Sequence, residues 1–75
     1  MNKSRRRRIE KALSLLEEAK DIIMDAMNEE ESGFNNLSEG LQQTMRGEQM
    51  EENISEMEEA VDNIDESIEN LQNIN

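Results

Sequence analysis

Met50-Glu51-Glu52-Asn53-Ile54-Ser55-Glu56-Met57-Glu58-Glu59-Ala60-Val61-Asp62-Asn63-Ile64-Asp65-Glu66-Ser67-Ile68-Glu69-Asn70-Leu71 is the stretch that decides the fold. Its apolar residues Met50, Ile54, Met57, Val61, Ile64, Ile68 and Leu71 recur at intervals of 4, 3, 4, 3, 4 and 3. That spacing gathers them on one stripe of an α-helix, the a/d seam of a helix packing in a left-handed coiled coil or bundle. No Gly or Pro interrupts residues 48–75. The pattern predicts one long helix.

Upstream, Ile9, Leu13, Leu16, Ile23 and Met27 keep the same 4/3 alternation, with Lys20 filling one seam position. Ala12, Ala19 and Ala26 recur every seven residues along one flank. Small residues beside a Leu/Ile seam let another helix approach and widen the apolar face beyond that of a two-stranded zipper. Leu15, Ile22 and Met24 lie off the stripe, which implies that this helix is buried on more than one side.

Residues 31–47 are less regular. Gly33, Gly40 and Gly47 each lower helix propensity by about 1 kcal/mol relative to Ala. The spacing of Phe34, Leu37, Leu41 and Met45 predicts a short helical turn with these residues on one side. Ser38 fits as the N-cap of that turn, and Thr44 as the N-cap of the long helix after it. The reading is therefore a single all-α domain over 1–75, with a helix at about 5–31, a connector at about 32–46 and a helix at about 47–73. Two long helices joined by one connector form an antiparallel hairpin.

Composition says how such a hairpin completes its core. The chain has 75 residues, 33 % of them hydrophobic, and Phe34 is its only aromatic. Chains this short generally need a disulfide, a metal or an oligomer. With no Cys and no His, the first two are closed. The expectation is a homodimer of hairpins forming a four-helix bundle, with Ile9, Leu13, Leu16, Ile23, Met27, Met50, Ile54, Met57, Val61, Ile64, Ile68 and Leu71 as core and dimer residues. Low hydrophobicity with a net charge of −11 also fits disorder, but a disordered chain has no reason to hold a heptad register.

No segment reaches the roughly 20 apolar residues that span a bilayer. The basic run at the N-terminus is followed by charged, amphipathic sequence rather than the apolar core of a signal peptide. A cytoplasmic setting without membrane contact is expected.

Charge is segregated. Seven of the eight basic residues lie between Lys3 and Lys20, and residues 47–75 hold ten acids and no Lys or Arg. The pairs Glu51-Glu52, Glu58-Glu59 and Asp65-Glu66 repeat every heptad. One reading is a solvated face that keeps a bundle soluble. Like charges at i, i+3 and i, i+4 nevertheless destabilise a helix by about 0.2–0.5 kcal/mol per pair, and a solubility face normally intersperses Lys with Glu. The alternative is an anionic surface offered to a basic partner, including mimicry of nucleic acid. Arg5–Arg8 suggest phosphate binding, but the acidic body repels it. The more economical account sets this run beside Asp65, Glu66 and Glu69 at the far end of the second helix.

Catalytic chemistry is not indicated. There is no His to serve a di-iron Glu-x-x-His site or as a base for Ser14, Ser55 or Ser67. No glycine-rich phosphate loop or EF-hand loop occurs. No catalytic, cofactor-binding or metal-binding residues are assigned, and no cofactor is expected. Met24, Met27, Met45, Met50 and Met57 read as core filling, although Met45 and Met50 near the connector also suit an adaptable contact surface.

The connector Phe34-Asn35-Asn36-Leu37-Ser38-Glu39-Gly40-Leu41-Gln42-Gln43, followed by Arg46-Gly47-Glu48-Gln49-Met50-Glu51, resembles a segment of short acidic helical proteins of bacteriophages and prophages of Gram-positive bacteria. Ser38 stands where that group usually has Pro, and Gly40 where it usually has Ser. The resemblance runs from Glu29 to the C-terminus and carries over Leu37, Leu41, Arg46, Gly47, Glu48 and Met50 as a connector signature. It implies a phage-encoded accessory protein acting in the host cytoplasm. Such proteins often occupy a host protein, including defence nucleases and nucleic-acid-handling enzymes. The expected function is a non-enzymatic inhibitor or modulator that occludes a host protein through Glu51, Glu52, Glu58, Glu59, Asp65 and Glu66. The alternative is an assembly module with no inhibitory target.

Overall fold

The computed structural model describes every residue from Met1 to Asn75. Three helices follow in order, α1 (Lys3–Asn35), α2 (Glu39–Gln42) and α3 (Met45–Gln72). The two long helices pack on each other with the short one between them, a helical hairpin. It measures 58 × 15 × 13 Å, about the cross-section of two helices side by side.

Local chemistry sets the boundaries. Asn2 caps α1 by accepting from the Arg5 amide at 2.8 Å. This matters because the first turn of α1 holds no acid, and the cations that occupy it oppose the helix dipole. At the other end α1 continues through Gly33 to Asn35, beyond the stop expected near residue 31. The reason is packing. A Cβ at Gly33 would come within 3.0 Å of the Met50 terminal methyl, so the missing side chain makes room for Met50. Continuing the helix also half-buries Phe34, which offsets the propensity cost of glycine.

The connector is held by caps and one amide. Ser38 Oγ accepts from the Leu41 amide at 3.3 Å and opens α2, and Thr44 Oγ1 accepts from the Gly47 amide at 3.5 Å and opens α3. The Gln42 side-chain amide donates to the carbonyls of Phe34 and Leu37 at 3.1 and 3.3 Å, tying α2 back to the end of α1. Gly47 is buried. A Cβ there would lie 2.1 Å from the Gln42 carbonyl oxygen. The expected one-sided cluster of Phe34, Leu37, Leu41 and Met45 does not form. The helices are interrupted at Asn36–Ser38 and again at Gln43–Thr44. Phe34 and Leu37 are half-buried, whereas Leu41 is exposed and Met45 is 87 % exposed.

Three contacts define the register of the long helices. Lys20 meets Asp65, Glu30 meets Asn53, and Gly33 meets Met50. Position numbers fall on α3 as they rise on α1, so the pair is antiparallel. The same register sets Leu16 opposite Ile68, Ile23 opposite Val61 and Met27 opposite Met57. Val61 and Ile68 are the only buried large apolar side chains, at 8 % and 7 % exposure. Ile9, Leu13, Leu16, Ile23, Met27, Met50, Ile54, Met57, Ile64 and Leu71 are half-buried. Two helices enclose a single line of side chains, and this is as much core as one hairpin can close.

Candidate functional site: the acidic face of α3

With its apolar stripe turned toward α1, α3 presents its remaining circumference to solvent. Glu51, Glu52, Glu58, Glu59, Asp65 and Glu66 are all exposed. The helical repeat sorts them into two rows about 100° apart, Glu51–Glu58–Asp65 and Glu52–Glu59–Glu66, each advancing about 10 Å per heptad. Glu48, Asp62 and Glu69, also exposed, fall between the rows. The result is a continuous anionic strip along the side of α3 away from α1.

One member differs from the rest. Asp65 Oδ1 accepts from the Lys20 ammonium at 2.7 Å, and this is the only ion pair in the chain. The hydrogen bond to Asp65 holds the Lys20 pKa above its ordinary value, with further help from the charges of Asp65, Glu17 and Asp21, against a smaller desolvation effect. Glu51, Glu52, Glu58, Glu59 and Glu66 have no cation within ion-pairing distance.

The Arg5–Arg8 run does not pair with Asp65, Glu66 or Glu69 as the charge pattern led us to expect. Lys20 takes Asp65. The antiparallel register carries the arginines past Glu69, so that Arg6 lies beside Gln72 and Ile74 in a hollow that also includes Met1 and Leu71. All four arginines are exposed. Arg8 Nε reaches only the Ser4 carbonyl, at 3.4 Å.

A polar chain crosses the hairpin nearer the connector. The Gln49 amide donates to Asn53 Oδ1 at 3.0 Å, and the Asn53 amide donates to Glu30 Oε2 at 3.0 Å. Sequence reasoning missed this link. Its only signal was Asn53, a polar residue immediately beside seam position Ile54. The link borders an open groove lined by Ala26, Glu29, Glu30, Asn53, Glu56 and Met57. No group of three or more His, Cys, Asp or Glu side chains is arranged to hold a metal ion, and no buried side-chain nitrogen or oxygen lacks a partner. No helix is long and apolar enough to cross a membrane.

Comparison of the chain with protein-family models, curated proteins and solved structures returned no match.

Proposed function

We propose that this chain is a non-enzymatic binding protein of bacteriophage type that occupies and occludes a basic surface of a host protein in the host cytoplasm. The observation that carries the reading is the anionic strip of α3, where five carboxylates named from the heptad pattern stand exposed with no cation to neutralise them. Holding like charges together along a helix costs stability. A basic partner surface repays that cost by complementarity and by faster encounter. A partner that itself handles nucleic acid, such as a defence nuclease, has the required charge, and the strip then acts as a loose nucleic-acid mimic. The resemblance of the connector to small phage proteins agrees with this reading.

The experiment is affinity capture from a Gram-positive host lysate at low and high salt, with captured proteins identified by mass spectrometry. The expected result is one stoichiometric protein, retained at low salt and released as exposed charges are screened. Capture that is indifferent to salt contradicts an electrostatic contact.

A second reading, an assembly module, is favoured by a different observation: Leu15 and Ile22 stand exposed on α1. The homodimer belongs to both readings.

A further inference from the structure

Of the three exposed large apolar residues of α1, Leu15, Ile22 and Met24, the two most exposed share one side, and Met24 lies on the opposite one. Leu15 and Leu16 are adjacent, and a helix turns about 100° per residue. Leu16 faces α3 and is half-buried, while Leu15 points to a second side and is 55 % exposed. Ile22, two turns on along that side, is 62 % exposed. Ala12, Ala19 and Ala26 line the strip between the two faces. Two apolar sides a quarter-turn apart are the geometry of a helix with two neighbours in a four-helix arrangement. One neighbour is α3.

Charge names the other. On the side of Leu15 and Ile22, the N-terminal half of α1 carries Arg8 and Lys11, the C-terminal half carries Asp25 and Glu29, and Glu18 lies between them. None of these five makes an ion pair within the chain. We propose that this side binds a second copy of the same chain, α1 against α1 in antiparallel orientation, with Leu15 of each copy against Ile22 of the other. That register sets Arg8 opposite Glu29 and brings Lys11 alongside Asp25 on both sides of a two-fold axis between Glu18 and Ala19, where the two Glu18 carboxylates are the one like-charge approach against these four opposite-charge ones. It also places the arginine run beside the acidic half of the opposing α1, which supplies in trans the neutralisation that the hairpin lacks. A parallel pair would set Arg8 against Arg8 and Glu29 against Glu29. Pairing through α3 would bring two anionic strips together. The alanines let the helices approach closely. The proposal rests on the homodimer part of the preceding reading and assigns its surface, leaving the acidic strip of α3 available to another partner.

The test is self-association by light scattering and sedimentation at micromolar concentration, with orientation read by cysteine pairing. The wild-type chain is expected at twice its 8.7 kDa mass. Leu15→Gln with Ile22→Gln is expected to weaken self-association roughly a hundredfold or more, two large aliphatic side chains being lost from the interface. Arg8→Glu with Lys11→Glu is expected to weaken it as well, and mixing that variant with Asp25→Lys/Glu29→Lys is expected to restore a heterodimer. This charge exchange reports on the interface even if the apolar variant also loses helicity. In a chain without native cysteine, Arg8→Cys mixed with Glu29→Cys is expected to form a disulfide, and Arg8→Cys alone is not. A wild-type monomer at full helicity would overturn both the surface and the homodimer. A dimer that keeps its strength in the apolar and charge variants, or an Arg8→Cys chain that readily pairs with itself, would overturn the surface while the homodimer stands.

Discussion

The Lys20 ammonium lies 2.7 Å from Asp65 Oδ1, joining the middle of α1 to the C-terminal third of α3 through the only ion pair in the chain. Lys20 occupies a seam position that hydrophobicity alone would give to Leu or Ile. Its stem covers part of the seam while its charge reaches the edge, so one residue contributes both packing and register. Sliding α3 by a heptad in one direction would set the ammonium against Gln72, with no charge to meet, and in the other against Glu58.

This pair predicts an alkaline weakness. The folded pKa of Lys20 is raised above the unfolded one, so the pair stabilises the hairpin fully below the unfolded value, about pH 10.4, and the contribution disappears as pH rises through the higher folded value. Thermal melts followed by circular dichroism should show a midpoint that falls on going above that range. In Lys20→Met the alkaline decrement should be smaller. Equal decrements in both proteins would show that the pair contributes nothing.

Gly47 should be the least replaceable glycine. A Cβ at Gly47 would sit 2.1 Å from a backbone oxygen, that of Gln42, whereas at Gly33 the nearest atom is the flexible end of Met50 at 3.0 Å and at Gly40 nothing lies within 4 Å. Gly47→Ala is expected to cost about 1–3 kcal/mol or to displace α2, while Gly40→Ala should stabilise by about 0.4–1 kcal/mol. Denaturant midpoints of the three alanine variants check the order, and a harmless Gly47→Ala would refute the tight connector.

The caps should act independently of one another. Ser38→Ala and Thr44→Ala each remove an acceptor for the first turn of a helix and should each cost about 1 kcal/mol. Thr44→Ala should cost more, because the Thr44 hydroxyl also donates to the Leu41 carbonyl. Equilibrium unfolding of the two variants measures the difference, and an Asn or Asp in place of Ser38 should recover most of its loss.

Much of the fold was legible because a heptad pattern states both where a helix runs and which side it buries. The seam from Met50 to Leu71, the Ser38 and Thr44 caps and the hairpin itself follow from that pattern. What was not legible depends on pairs distant in sequence. The passage of α1 through Gly33 depends on Met50, the insertion of Gly47 depends on the Gln42 carbonyl, and the link from Asn53 to Glu30 spans the two helices. The arginine run was assigned to Asp65 because sequence gives the direction of the hairpin but not its register. A shift of a few residues carried that run past its expected partners. For the acidic strip, the heptad pairs were readable as exposed carboxylates. That Asp65 is engaged and the other five are free required the position of Lys20.

Salt should strengthen the isolated hairpin. Repulsion along α3 involves many exposed carboxylates, whereas attraction within the chain rests on one pair. Raising ionic strength from about 0.01 M to about 0.1 M shortens the screening length from about 30 Å to about 10 Å, and the melting midpoint should rise. A fall would mean that attraction between charges dominates the fold.

The most direct test of the account is host-lysate capture with the wild-type chain and with a variant carrying Glu51→Gln, Glu52→Gln, Glu58→Gln, Glu59→Gln and Glu66→Gln, side by side at low salt. Asp65 is kept so that its bond to Lys20 remains. The account predicts a stoichiometric protein with the wild-type chain that is lost with the variant, at equal helicity. Retention of the same protein by the variant, or no partner for either chain, would contradict it.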